Sequence, residues 1–242
     1  MSNLKPKSSS KSAVDHPTCP RCNSSMTRKA GSIIAARGRV QRHLCGDCGK
    51  KFHMSLKYLP IVEKEGYFDI ETSQAGRGAG NFGVIYSWAI LDRKSGKVYG
   101  EYMRTRSLKE EKRIVKSMLA AMRLFDRLYT WYGTGHDMPV SRSRAEFHNL
   151  DYPEYQEVLH SDLYYAFRSR FRLHSNRQDA VAEFFGMPQQ KHTLRPETWV
   201  RASFGDKKAL KHIFAHNIED TYQTKMIHER IEKYIAGTRR TA

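Results

Sequence analysis

The chain has 242 residues, 39% of them hydrophobic, with 13 tyrosines and 11 phenylalanines. This composition excludes a disordered chain and predicts one sizeable core with a small accessory module. The formal net charge is +17: residues 1–60 hold 12 Lys and Arg against two acids, a net of +10, and the remaining residues carry +7. Because a basic surface concentrates polyanions, this charge favours nucleic acid as a partner over a role in solubility alone.

No apolar run approaches the ~18 residues that a membrane span needs, so we expect no membrane contact. Residues 1–15 are polar and basic without an apolar centre, which is unlike a secretory signal. We therefore expect a cytoplasmic protein whose first 15 residues form a disordered arm.

All four cysteines lie in the next segment, 16–56, in the pairs "CPRC" (Cys19, Cys22) and "CGDC" (Cys45, Cys48). Two tight turns of this spacing can present four thiolates to one ion, which predicts a structural zinc site. The alternatives are two disulfides, which a cytosolic chain disfavours, or four unrelated thiols.

The stretch between the pairs, "TRKAGSIIAARGRVQRHL", interleaves basic and apolar residues and predicts a small pair of hairpins with a cationic face. Its basic residues are Arg28, Lys29, Arg37, Arg39 and Arg42. With "QRHLCGDCGKKF", the segment resembles the zinc ribbons at the start of many insertion-sequence transposases. The resemblance implies a ribbon that contacts DNA, although other zinc ribbons bind proteins.

A linker is predicted at 57–66, a larger domain at 67–236 and a flexible tail at 237–242. The larger domain opens on "GYFDIET", a strand-like run in which Asp69 and Glu71 must point to the same face. Two carboxylates on one face repel each other unless a shared proton, a basic side chain or a metal ion lies between them. The strand itself leaves these three alternatives open.

The following elements come in a definite order. "FGVIYSWAILD" and "KVYGEYM" flank the turn "DRKSGK" and predict a hairpin. "LKEEKRIVKSMLAAMRLFDRL" has helical apolar spacing, "YTWYG" indicates a short strand, and "VLHSDLYYAF" indicates a strand running into a helix. The remainder, from Gln178 to Tyr234, is predicted to be mostly helical. Three strands, then helix–strand–helix–strand and a helical tail, predict a ribonuclease-H-like α/β fold, a mixed sheet flanked by helices.

Two further acids lie at the ends of elements or within them. Asp137 stands in "WYGTGHDMP", just past a predicted strand and before a segment that we expect Pro139 to break. Asp220 stands in "AHNIEDTYQTK" within a helical run, and His216 precedes it by four residues, so both side chains share one helix face.

The segments "FDIET", "YGTGHDMP" and "HNIEDT" are similar to the three motifs of DEDD-type 3′–5′ exonucleases, and "SNRQDAVAEFFGMPQQKH" resembles the helix that precedes the third motif. The likeness is greatest to the branch that contains the proofreading domains of family-B DNA polymerases and their stand-alone relatives, and it covers about residues 66–235. It implies that Asp69, Glu71, Asp137 and Asp220 hold two divalent ions, Mg²⁺ or Mn²⁺, for phosphodiester hydrolysis. The resemblance therefore implies that, of the three alternatives, a metal ion lies between the two carboxylates of the strand.

His216 departs from the pattern of the family. The branch named above usually has tyrosine four residues before the last aspartate, whereas the other branch has histidine one residue further away, where this chain has Ala215. A histidine at the tyrosine spacing can still orient or deprotonate the attacking water, and we expect this role. The alternative is a helix histidine that faces solvent.

Three functions follow from these residues. The first is a metal-dependent 3′–5′ exonuclease that acts on DNA in preference to RNA, with the zinc ribbon aiding nucleic-acid binding. The second is a transposase-like DNA strand-transfer enzyme, a class that normally uses two separated aspartates and a late glutamate without an acid pair on the first strand. The third is a non-catalytic nucleic-acid-binding protein, which the presence of all four acids disfavours.

Overall fold

In the computed structural model, two compact units divide the chain, Met1–Ile61 and Val62–Ala242. The structure describes the following residues, with the side chains of 32–40 excepted: 17–35, 38–53, 64–73, 83–154, 157–188 and 194–235. The predicted arm, most of the predicted linker, the predicted tail and all but the first residue of the glycine-rich stretch "SQAGRGAGN" (73–81), for which the sequence predicts a loop, lie outside these residues. The predicted domain bounds stay predictions.

The first unit contains a three-stranded antiparallel sheet of order β1-β2-β3, formed by β1 (Thr27–Ala35), β2 (Gly38–Cys45) and β3 (Lys51–His53). This is the pair of hairpins that the sequence predicts. Its small core is built from Cys19, Cys45 and Phe52. Within the described side chains of this unit, so small a core buries little surface, which is typical of a module that depends on a metal for its stability.

The second unit contains five strands and six helices among its described residues. They are β4 (Glu65–Thr72), β5 (Ile85–Asp92), β6 (Val98–Tyr102), α1 (Leu108–Met122), β7 (Arg127–Thr130), α2 (Asp137–Phe147), β8 (Leu159–Asp162), α3 (Leu163–Arg168), α4 (Gln178–Phe184), α5 (Pro196–Ser203) and α6 (Lys207–Ile235). The order of these elements is the one that the sequence predicts.

The five strands form one mixed sheet of order β6-β5-β4-β7-β8. β5 pairs antiparallel with both β4 and β6, so these three strands form a meander. β7 pairs parallel with β4, and β8 pairs parallel with β7. Because β4, β7 and β8 run in the same direction, their carboxyl ends meet at one edge of the sheet. Residues that follow these strands are therefore brought together.

Helices cover both faces of the sheet. On one face Phe68 and Ile70 of β4 are buried in the core to which α1 contributes Ile114, Val115 and Met118. The long helix α6 covers the opposite face and packs on β4, β5 and β6. This order of layers confirms the predicted ribonuclease-H-like architecture.

Small residues make room for α6. Asp69 pairs with Ala89 of β5, which in turn pairs with Gly100 of β6. A β-carbon on Gly100 would lie 2.9 Å from the ring of Phe214 on α6, so only glycine permits this close approach. The helix therefore lies directly over the strand that carries the acid pair.

Several bounds differ from the sequence expectation. α1 ends at Met122, six residues before the end of the periodic stretch, because the chain must turn to enter β7 at Arg127. β7 ends at Thr130, before the "WYG" that was expected to lie within it. Pro139 does not break the segment after Asp137: it stands in the first turn of α2, where a helix tolerates proline.

Candidate functional site

Strand β4 presents its two acids to α6. Asp69 and Glu71 are half-buried on the face that α6 covers, while Phe68 and Ile70 point into the core on the other face. Three contacts run in opposite order along the two elements: Tyr67 with His228, Asp69 with Asn217, and Glu71 with His216. α6 thus runs antiparallel to β4, and its first half lies over the carboxyl end of the strand.

Glu71, His216 and Asp220 come together at this end. Their ligand atoms all lie within 4.8 Å of one another. The His216 Nε2 atom is 4.0 Å from Glu71 Oε1 and 3.8 Å from Asp220 Oδ2. The three side chains are only 13–16% exposed, so they are largely screened from solvent. His216 thus faces the acids rather than solvent.

Asp69 is held beside this group by α6. The Asn217 side-chain amide donates to Asp69 Oδ2 at 2.5 Å, and Asn217 is fully buried. One carboxylate oxygen is thereby oriented by a residue adjacent to His216. Such a contact fixes the rotamer of a candidate ligand before any ion binds.

Asp137 is the first residue of α2 and is almost completely buried. Its Oδ1 accepts a hydrogen bond of 3.0 Å from the backbone amide of Ile70, the residue between the two acids of β4. Burial raises the pKa of the Asp137 carboxyl to about 7, and the charges of Asp162 and Asp220 act in the same direction, against the Ile70 amide. A buried carboxyl surrounded by acids favours either a proton or a cation.

The donor set of the site fits a hard divalent cation. Carboxylate oxygens with one imidazole suit Mg²⁺ or Mn²⁺ better than a soft metal. The buried His216 Nδ1 has no hydrogen-bond partner among the described residues, which leaves an unsatisfied polar atom at the site. Glu71, His216 and Asp220 form the close group, while Asp69 and Asp137 are tethered next to it through Asn217 and Ile70. The predicted roles of the five residues, and a four-acid site for two ions, stay predictions.

The family follows from a comparison of the whole larger unit. A family model described as the RNase_H superfamily matches residues 66–232, more than two thirds of the chain. This chain belongs to the RNase_H superfamily. The match confirms the ribonuclease-H-like fold that the order of elements predicts, and the RNase_H match includes Asp69, Glu71, Asp137, His216 and Asp220.

A solved structure shares the fold. The chain is similar to the family B DNA polymerase from the hyperthermophilic archaeon Pyrobaculum calidifontis, with a TM-score of 0.57 and 15% sequence identity. The similarity covers 87% of this chain and 29% of the polymerase chain, so this chain spans less than a third of that protein. No curated protein gives a significant match.

The four cysteines of the first unit also converge. Their sulfur atoms all lie within 4.8 Å of one another, and the Cys19–Cys48 and Cys22–Cys45 sulfur pairs are each 3.6 Å apart. These separations are far longer than a disulfide bond and close to the ~3.8 Å expected between thiolates that bind one zinc ion tetrahedrally at ~2.3 Å. The cluster therefore fits zinc and does not fit the disulfide alternative.

The two cysteine turns share one backbone design. Asn23 and Gly49, the residues that follow the second cysteine of each pair, both have positive φ, 55° and 66°. Each donates its amide to the carbonyl of the first cysteine, at 2.8 and 3.1 Å. Asparagine and glycine adopt this conformation most readily, so the sequence places suitable residues where both turns need them.

Two further residues position the acids of the site or the loop that carries them, and Asn217 was not identified from the sequence. Asn217 lies three residues before Asp220 on the helix, a spacing that could have indicated it as a neighbour of the site. Asp162 caps α3 through the Tyr164 amide at 3.0 Å, and it also accepts from the amides of Tyr132 at 3.1 Å and Thr134 at 2.8 Å. It therefore holds the loop that leads to Asp137.

Within the part of the chain that the structure describes, no helix has the length and apolarity to cross a bilayer.

Proposed function

We propose that this chain is a metal-dependent 3′–5′ exonuclease that hydrolyses the terminal phosphodiester bond of nucleic acid, DNA in preference to RNA. The observation that carries the proposal is the convergence of Glu71, His216 and Asp220 within 4.8 Å, with Asp69 and Asp137 tethered next to them. Membership of the RNase_H superfamily and a fold shared with a DNA polymerase support a nuclease.

Asp69, Glu71, Asp137 and Asp220 would hold two divalent ions, Mg²⁺ or Mn²⁺. When bound, these ions lower the pKa of a water molecule and neutralise the charge that develops on the phosphate and the leaving oxygen. The chain's own contribution is to orient the ligands: Asn217 fixes Asp69 and the Ile70 amide fixes Asp137. The reaction breaks the bond from phosphorus to the 3′ oxygen and releases a 5′-mononucleotide.

His216 is suited to position the attacking water or to accept its proton. Its imidazole Nε2 lies 4.0 Å from Glu71 Oε1 and 3.8 Å from Asp220 Oδ2, so the ring faces the carboxylates beside which the water would be bound. A glutamine in its place would retain a polar group without the ability to accept a proton at neutral pH. His216→Gln is therefore expected to lower kcat more than it changes substrate binding.

The first unit, which contains the four cysteines and is called the cysteine unit below, would bind one zinc ion and aid nucleic-acid binding. Three residues of the predicted cationic face have described side chains, namely Arg28, Lys29 and Arg42. All three are exposed, as contact with phosphates requires. Arg37 and Arg39, which complete the predicted cationic face, lie outside the described side chains.

The direction and the substrate can be tested in one experiment. Matched DNA and RNA strands, each blocked at either the 5′ or the 3′ end and labelled at the opposite end, are incubated with the full chain and Mg²⁺. We expect stepwise release of mononucleotides that a 3′ block prevents, and faster release from DNA. Cleavage that a 5′ block prevents, or internal cleavage alone, would overturn the proposal.

DNA strand transfer is the second candidate, and the cysteine cluster with its transposase-like sequence favours it. Its signature is a product longer than either substrate, in which one DNA end is joined to another. The same labelled DNA therefore separates the two candidates on a denaturing gel.

A further inference from the structure

Three tyrosines form an exposed cluster beside the candidate site. The ring of Tyr132, in the loop after β7, lies 5.0 Å from Tyr164 and 6.1 Å from Tyr165 between centroids, and the last two are 5.1 Å apart. Tyr132 and Tyr165 are 45% and 44% exposed. We refer to Tyr132, Tyr164 and Tyr165 as the tyrosine cluster.

The backbone of Tyr132 is strained. Its φ is +67°, a conformation that bulky residues rarely adopt. The other non-glycine residues with positive φ in the described part of the chain are Asn23 and Asn149, and asparagine tolerates this region. A strained residue that persists despite its cost points to a functional constraint.

The surroundings of Tyr132 enforce this conformation. Asp162 accepts its amide at 3.1 Å, and its ring lies against Gly135, where a β-carbon would be 2.5 Å from the ring. The loop therefore holds the Tyr132 ring in one place. Part of the ring packs on the loop, and part of its surface is exposed to solvent. Folding alone would be served better by an asparagine or glycine at this position.

The tyrosine cluster lies next to the acids of the site. The loop that begins at Tyr132 ends at Asp137, only five residues later. Asp162, which binds the Tyr132 amide and caps the helix of Tyr164 and Tyr165, is close enough for its charge to act on Asp137. Asp162 therefore connects the tyrosine cluster with Asp137, and the rings lie near the acids of the site.

We propose that the tyrosine cluster stacks against bases of single-stranded nucleic acid and so selects unpaired strands for the candidate site. Every base has a π-face, and aromatic side chains bind such faces with little sequence preference. The bases of a duplex are already stacked and paired, so an exposed ring reaches them only after the strand is opened. The exposed Arg168 on the same short helix as Tyr164 and Tyr165 adds a positive charge suited to the phosphates of that strand.

The substrate preference rests on the proposed function, but the base contact does not, and it is tested by binding alone. The full chain with Asp69→Ala, which prevents consumption of the probe, is titrated against fluorescein-labelled oligo(dT) of about 12 nucleotides, within the ~4–16 that single-strand binders cover. Oligo(U), a blunt duplex, and an oligo(dT) whose 3′-terminal nucleotides lack bases are the comparison probes. Anisotropy gives the Kd of each.

In this background, Tyr132→Asn and Tyr165→Ala are each expected to weaken binding to oligo(dT) and oligo(U) by about 5- to 150-fold, the range for one stacked base. Both variants should bind the abasic probe with the same Kd as the Asp69→Ala chain that retains all three tyrosines. Phe204→Ala, which removes an aromatic ring that is 87% exposed, is the matched control and should change nothing. Tyr132→Asn should fold, because asparagine occupies the same backbone region at Asn23 and Asn149.

Unchanged affinity of both tyrosine variants for the intact strands would overturn the proposal and leave the cluster for a protein partner. An equal loss on intact and abasic probes would overturn it as well, since the bases would then not be the contact. A loss confined to oligo(dT) or to oligo(U) would also overturn it, because both bases present a π-face and stacking should affect both strands. Failure of the proposed nuclease function appears separately, as an absence of nucleotide release by the unsubstituted chain.

Discussion

Replacement of Asp162 by asparagine tests whether this carboxylate holds the loop that carries Asp137. Asp162 Oδ1 accepts from the amides of Tyr132 and Tyr164, and Oδ2 accepts from the amide of Thr134 at 2.8 Å. Asparagine can retain the two bonds to Oδ1. It places an N–H₂ group against the Thr134 amide, so one hydrogen bond is replaced by a contact between two donors.

The magnitude follows from these contacts. A hydrogen bond to a charged acceptor contributes about 1.5–3 kcal/mol, and the lower end applies because Asp162 is half-buried. We therefore expect Asp162→Asn to lower the free energy of unfolding by about 1.5 kcal/mol. Asp162→Ala loses all three bonds, one of which is the cap of α3, and for this loss we expect about 3–4 kcal/mol.

Urea unfolding followed by tryptophan fluorescence measures this loss. All three tryptophans, Trp88, Trp131 and Trp199, lie in the second unit, so the signal reports that unit alone. Asp151→Asn is the matched control, since the Asp151 side chain is 93% exposed and should cost under about 0.5 kcal/mol. If Asp162→Asn were as stable as this control, the loop would not depend on Asp162 and its positioning role would be refuted.

Three further substitutions test the site, the zinc cluster and the packing of α6. Asp69→Ala is expected to abolish nucleotide release from end-labelled DNA while DNA binding stays largely intact, and a variant that cut as fast as the parent would disprove the site. Metal analysis should show that Cys45→Ser has lost the zinc ion, and this variant should bind DNA more weakly. Unchanged affinity across a salt series would show that the cysteine unit does not contribute to DNA binding. Burial, together with Arg93, lowers the pKa of His228 to about 4, so the unfolded chain takes up the proton first. The contribution of His228 to stability should therefore be constant above about pH 6.5 and fall by about 1.4 kcal/mol per pH unit below it, about 3 kcal/mol by pH 4. The difference between the parent and His228→Gln from pH 6.5 to 5 isolates this contribution, because groups such as Asp137 titrate in both proteins; a constant difference would contradict it.

The order of the elements could be predicted from the sequence because each element carries its own periodic pattern. β5 is buried throughout and only Ser87 interrupts its apolar run from Ile85 to Leu91, while α1 repeats its apolar residues at helical spacing. Ser107 caps α1 by accepting the Glu110 amide, and this serine directly precedes the helix in the sequence. Local patterns of this kind need no knowledge of the rest of the fold.

The acids of the site could be located for a related reason. Asp69 and Glu71 interrupt an apolar strand, and Asp220 shares a helix face with His216, so each departs visibly from its local pattern. Their meeting could be inferred only through the family resemblance. The structure brings Glu71, His216 and Asp220 within ligand distance, while Asp69 and Asp137 are each oriented by a different neighbour.

The contacts between elements could not be predicted. Asn217 is one polar residue on a polar helix until the fold places it against Asp69. The tyrosine cluster combines Tyr132 with two tyrosines some 32 residues later in the chain. Pro139 was expected to break a segment that it in fact helps to begin, because the effect of proline depends on its position within a helix.

Because α6 is a single unbroken helix, its contact with β4 at one point fixes the direction of its side chains along the rest of the strand. Its 29 residues carry His216 and Asp220 in the first half of the helix, and His228 contacts Tyr67 further along, with the Tyr67 hydroxyl 3.0 Å from His228 Nδ1. One residue inserted between Asp220 and His228 would swing the upstream side chains by about 100° and slide them by about 1.5 Å, away from β4. An insertion of seven would return them to within about 20° of their starting direction but would shift them by about 10.5 Å along the axis, so even an insertion of two whole turns would separate His216 and Asp220 from Glu71.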